Sequence, residues 1–116
     1  MTDIRRINPE TRYSDATVHN GTVYLAGQVA ETLTGSATVQ TQEVLAAIDQ
    51  VLAAAGSDKS KLLTATVYLT HMSDYAEMNA VWDAWLPKGC APARACVEAR
   101  MARPEYRVEI QVIAAL

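Results

Sequence analysis

The 116-residue chain has no phenylalanine and only two cysteines, and no apolar run approaches bilayer-spanning length. Each shortage excludes something. Cys90 and Cys96 cannot make a disulfide framework, and they lack the partner set of a metal site. The opening stretch "MTDIRRINPE" has no apolar core of a secretory signal. Together these predict a reduced, cytoplasmic setting. There is no Lys/Arg-rich block and the formal charge is −3, so the electrostatic footprint of a nucleic-acid binder is missing. No Gly/Ser linker, low-complexity tract or internal repeat divides the chain. Its length favours one domain over residues 1–116.

What is present is globular in character: 50% of residues are apolar and 20% charged. Asn20-Gly21 lies between two β-rich runs and predicts a hairpin with a type I′ turn. In "SATVQTQEVLAAIDQVLAAAG" the residues Val44, Ile48, Val51, Leu52 and Ala55 recur at helical spacing, and Gly56 supplies a stop. In "KLLTATVYLT" Leu63, Ala65, Val67 and Leu69 alternate with Thr64, Thr66, Tyr68 and Thr70, the period of a strand. A second helix follows over "SDYAEMNAVWDAW", with Met78, Val81, Trp82 and Trp85 as its buried stripe. Asp74 and Glu77 resemble a capping box at its start, and Pro87 and Gly89 end it. Two strands close the chain, "ARACVEARM" and "YRVEIQVIAA", and a further strand is expected near residues 3 to 7. The order predicts the α+β class: a mixed sheet with both helices on one face.

Two helices cover one side of such a sheet. Leu63, Ala65, Val67 and Leu69, with Ala95, Val97 and Ala99, are expected on the covered side. Thr64, Thr66, Tyr68, Arg94, Cys96, Glu98, Arg100, Glu109 and Gln111 are expected on the open side. That mixed face either packs against other copies of the chain or is solvated.

Arg94 and Glu109 stand out as charges among uncharged neighbours. A guanidinium matches a carboxylate, and a carboxylate in a partly dry cleft can move a proton for water. The pair suggests a site for a small carboxylic acid that reacts with water. If the last two strands form a tight hairpin near Pro104, the two residues lie roughly 17 Å apart. Either the hairpin is not tight or they meet between subunits; the second is expected. A solvated pair of charges is the plainer alternative. No histidine is placed in sequence to activate Cys96, so a packed cysteine is expected there. Gly27 in "LAGQV" marks a bulge or a close backbone approach.

"YSDA" (13 to 16), "YLAGQV" (24 to 29), "AGSD" (55 to 58), "MNAVWDAW" (78 to 85), "PARACVEA" (92 to 99) and "VEIQVIAA" (108 to 115) resemble the RidA, or YjgF-like, family of enamine/imine deaminases. The resemblance covers nearly the whole chain in order. It implies a chorismate-mutase-like fold and a homotrimer with clefts between subunits. It implies hydrolysis of 2-iminoacids, or their enamine tautomers, to 2-oxoacids and ammonia. The carboxylate-binding arginine falls on Arg94 and the acidic residue on Glu109. Cys96 contributes backbone shape, Tyr13 falls on the cleft tyrosine, and Gly27 and Asn79 belong to the binding set. A protonated imine carbon is already electrophilic, so no metal or other cofactor is expected. Two departures are visible. Ala26 stands where many members carry serine, and the loop "LPKGCA" (86 to 91) is short. Two other functions compete: a trimer that binds a 2-oxoacid without turnover, and a ribonuclease or translation inhibitor. The acidic balance speaks against the last.

Overall fold

The structure, a computed structural model, describes residues 3–116. Its strands are β1 (Arg5–Ile7), β2 (Ala16–His19), β3 (Thr22–Leu25), β4 (Gln28–Val29), β5 (Leu62–Leu69), β6 (Ala93–Glu98) and β7 (Val108–Ala115). The helices are α1 (Ala37–Ala55) and α2 (Tyr75–Trp85). They build the expected α+β arrangement, one mixed sheet in the order β1-β2-β3-β7-β5-β6, with β4 also on β7. The β2–β3 hairpin turns on Asn20 and Gly21, whose φ values of 50° and 77° suit a type I′ turn. Strands β5 and β6 run parallel, because α2 carries the chain back across the sheet.

One side of the sheet is buried. Val23 and Leu25, Ala65, Val67 and Leu69, and Val108, Ile110 and Val112 meet Val44, Leu45, Ile48 and Leu52 of α1. Each buried Val, Leu or Ile among them contributes about 1.5–3 kcal/mol through removal from water. Helix α1 is capped at both ends: Ser36 accepts from the Val39 N–H, and Gly56 takes the left-handed conformation at φ 90°. Fully buried Gln40 ties loops together, accepting from the Arg107 N–H at 2.8 Å and donating to the Glu105 carbonyl at 3.0 Å.

Several expectations are corrected. The last two strands do not form a hairpin, because β5 lies between β6 and β7. Leu63 is half exposed and Leu62 takes the buried place, because the β5–β7 register shifts between Leu62 and Thr64. The capping box does not form: Asp74 accepts from Arg107 instead, at 3.3 Å. Glu77 reaches the other helix and accepts from the Thr38 N–H at 2.7 Å and its hydroxyl at 2.8 Å. The first turn of α1 is thus capped by α2.

The faces of β6 are also reversed. Its parallel register sets Arg94 beside Ala65 and Cys96 beside Val67, both buried under the helices. Arg94 and Cys96 therefore lie on the helix side, while Ala95 and Val97 are exposed on the open side. β6 is an edge strand, and its helix-side flank has room for the apolar stem of an arginine.

Candidate functional site

Glu109 sits on β7, the strand with most neighbours. Val108, Ile110, Val112 and Ala114 alternate into the core, so Glu109 and Gln111 face the open side, as expected. Opposite them the chain bulges. Tyr24 pairs with Ile113 and Gln28 with Ile110, so four steps on one strand match three on β7. The Gln111 amide donates to the freed Leu25 carbonyl at 3.2 Å. The bulge brings Gly27 against Glu109. A Cβ on Gly27 would fall 2.0 Å from Glu109 Oε2 and 2.9 Å from its Cδ, so only glycine leaves the carboxyl its place. Burial pushes the Glu109 carboxyl above its ordinary value. Glu109 also borders a hollow of about 260 Å³ with Tyr68, Arg100 and Met101.

Arg94 is held on the other side of the sheet, half-buried against α2. Its guanidinium carbon lies 5.2 Å from the Trp82 ring centre and 6.0 Å from that of Tyr75, with Nη1 3.9 Å from Met78 Sδ. The ion pairs among the described residues are Arg103–Glu105 and Arg107–Asp74, and neither Arg94 nor Glu109 belongs to one. Cys96, two residues on, packs partly against the core. Burial pushes its thiol up, against the opposing pull of Arg94, which does not suit a nucleophile.

The structure therefore brings Gly27 to Glu109, and sets Arg94 and Cys96 together on the opposite face. Asn79 is half-buried on α2, one turn after Tyr75. Tyr13 lies 59% exposed in the β1–β2 segment, its carbonyl accepting from the Glu10 N–H at 2.8 Å. Sequence reading missed Tyr75 and treated Trp82 and Met78 as core alone. The signal available was their spacing on one helix stripe, which is shared by any packed helix. No group of three or more His, Cys, Asp or Glu side chains among the described residues is placed to hold a metal ion. No helix among them is long and apolar enough to cross a membrane.

The family model described as "Endoribonuclease L-PSP" matches residues 3–116. A RutC family protein of Haemophilus ducreyi is 48% identical over 113 residues, covering 97% of each chain. The chain belongs to the YjgF/RutC family. The RutC family protein YoaB of Escherichia coli is 47% identical, over 97% of this chain and 98% of its own. A solved YjgF-family structure from Neisseria meningitidis superposes with a TM-score of 0.94 at 55% identity, over 97% of this chain and 94% of that one.

Within this YjgF/RutC chain, the two departures from the family pattern have local consequences. Ala26 presents no hydroxyl beside Gly27; its carbonyl accepts from the Gln28 amide at 3.0 Å and its N–H donates to the Asp15 carbonyl at 2.9 Å. The segment 86–91 closes through a bond from the Cys90 N–H to the Pro87 carbonyl at 3.1 Å, with Gly89 at φ 82°.

Proposed function

We propose that this YjgF/RutC protein hydrolyses 2-imino acids, or their enamine tautomers, to 2-oxoacids and ammonia, in clefts formed between the subunits of a homotrimer. One observation carries the reading. A guanidinium and a carboxyl, both half-buried and outside the ion pairs among the described residues, lie on opposite faces of one sheet. A single chain cannot aim both at one small molecule. A second copy, set edge to face, brings the Arg94 flank of one chain to the Glu109 face of the next. The exposed Tyr24 and Val97 on the open face support its being covered in this way.

The chemistry follows from the two groups. Arg94 binds the substrate carboxylate in a bidentate manner and so fixes the C=N carbon. Glu109 holds a water against that carbon and takes its proton as the C–O bond forms and the C=N electrons move to nitrogen. The same carboxyl returns the proton to nitrogen. As the C–N bond breaks, the regenerated carboxylate takes the hydroxyl proton, the O–H electrons form the C=O bond, and ammonia leaves the 2-oxoacid behind. A carboxyl raised by burial is suited to holding a proton between these steps. Gly27 seats Glu109, and Cys96, Tyr13 and Asn79 line the composite cleft. The reaction is assigned to the cytoplasm, and no cofactor is required.

A second reading, carboxylate binding without turnover, is favoured by Ala26, which offers no side-chain hydroxyl to a substrate. A ribonuclease reading suits the description of the family model, but the charge of −3 opposes it. The test couples an amino-acid oxidase to trapping of free imine by semicarbazide. The native chain should shorten the lifetime of the imine, and Arg94→Ala should abolish the effect. An unchanged lifetime alongside saturable 2-oxoacid binding would support the binding protein instead.

A further inference from the structure

Among the described residues, Arg94 is positioned without a carboxylate partner. A half-buried arginine is ordinarily held by a carboxylate, which fixes the fork but also occupies it. Here the neighbours are the Trp82 ring at 5.2 Å, the Tyr75 ring at 6.0 Å and the Met78 sulfur at 3.9 Å from Nη1. Trp82 is 5% exposed and Met78 fully buried, so this shelf is rigid, whereas Tyr75 is 44% exposed. An aromatic face attracts a cation while leaving its N–H donors free.

We propose that Trp82 is a positioning residue for carboxylate capture: its ring presets the Arg94 fork and leaves the positive charge open to an incoming 2-imino or 2-oxo acid. This rests on the reading of Arg94 as the carboxylate anchor. The ring orients the guanidinium before the ligand arrives, so its loss weakens ligand binding more than the chemical step.

The test uses the full chain in its native assembly. Pyruvate binding is measured by calorimetry for wild type, Trp82→Phe and Trp82→Leu, with KM and kcat for imine hydrolysis. Affinity should fall in the order Trp, Phe, Leu, by about tenfold for Leu, with KM rising in step and kcat changing less. A folded Trp82→Leu that binds pyruvate as tightly as wild type overturns the proposal. If Trp82→Leu does not fold, a Trp85→Phe background leaves Trp82 as the sole indole. Its fluorescence should then shift saturably with pyruvate; no shift at concentrations that calorimetry shows to saturate the site overturns the proposal. Arg94→Ala separates the two levels. If it binds pyruvate like wild type, the carboxylate-anchor reading has failed, whatever Trp82 does.

Discussion

Arg94 and Glu109 point to opposite faces of the same sheet. Arg94 is level with Ala65 and Glu109 with Tyr68, three positions apart along β5, and an odd offset reverses the face. They are separated by about 10 Å along the strands and about 10 Å across them. Neither belongs to an ion pair among the described residues. On the proposed function, these are two half-sites that association would join.

Glu109 should cost stability at neutral pH. Burial raises its folded pKa above the unfolded value, so its contribution is fully present below the ordinary carboxylate range and is lost as pH rises through the raised value. Glu109→Gln should melt a few degrees higher than wild type at neutral pH, with the gap closing in acid. It should retain 2-oxoacid binding and slow imine hydrolysis. Thermal melts across pH, paired with calorimetry, check both.

Gly27→Ala should displace the Glu109 carboxyl, since a methyl cannot share its position. A shift of about 1 Å in a reacting group is enough for a loss of about 100-fold. The expected result is a fall of that order in kcat, with carboxylate affinity nearly unchanged because Arg94 lies elsewhere. A parallel loss of pyruvate binding would contradict the separate roles.

Gln40 is a stability residue with no part in the chemistry. Gln40→Leu keeps the bulk but strands the Arg107 N–H and the Glu105 carbonyl. Urea unfolding should show a loss of about 2–3 kcal/mol, with kcat per folded molecule unchanged.

Glu77 should make the fold acid-sensitive. The Thr38 hydroxyl first, and then its N–H, hold the Glu77 carboxyl below the usual carboxylate range. A depressed folded pKa gives stability that is present above the unfolded value and lost as pH falls through the folded one. Glu77→Gln should therefore be less stable than wild type at neutral pH and converge with it in acid, as read by thermal melts at each pH.

The elements were legible where period and turn chemistry agreed. Asn20-Gly21, the α1 stripe ending at Gly56, and the alternation of β7 all formed as the residues dictate. The pairing of strands was not legible. Adjacency in sequence suggested a β6–β7 hairpin, yet β5 intervenes, and no local feature of "ARACVE" encodes that. The face of Arg94 was misread for a related reason. The alternation of β6 points the wrong way: Ala93, Ala95 and Val97 form its apolar parity and Arg94, Cys96 and Glu98 the polar one, yet register with β5 sets Arg94 beside buried Ala65. Glu109 was legible because its alternating neighbours Val108 and Ile110 are unambiguous core residues. Gly27 was flagged by residue type alone, but its partner emerged only from the bulge.

The most direct test of a site shared between chains is complementation. Arg94→Ala and Glu109→Ala are purified separately, each inactive in the semicarbazide assay, then co-refolded in equal amounts. In a closed ring with one Arg94 flank against one Glu109 face, about a quarter of the random interfaces pair two intact half-sites. Imine hydrolysis returning to about that fraction of wild type is the expected result. A mixed assembly, shown by mass spectrometry to contain both variants and still inactive, would contradict the shared site.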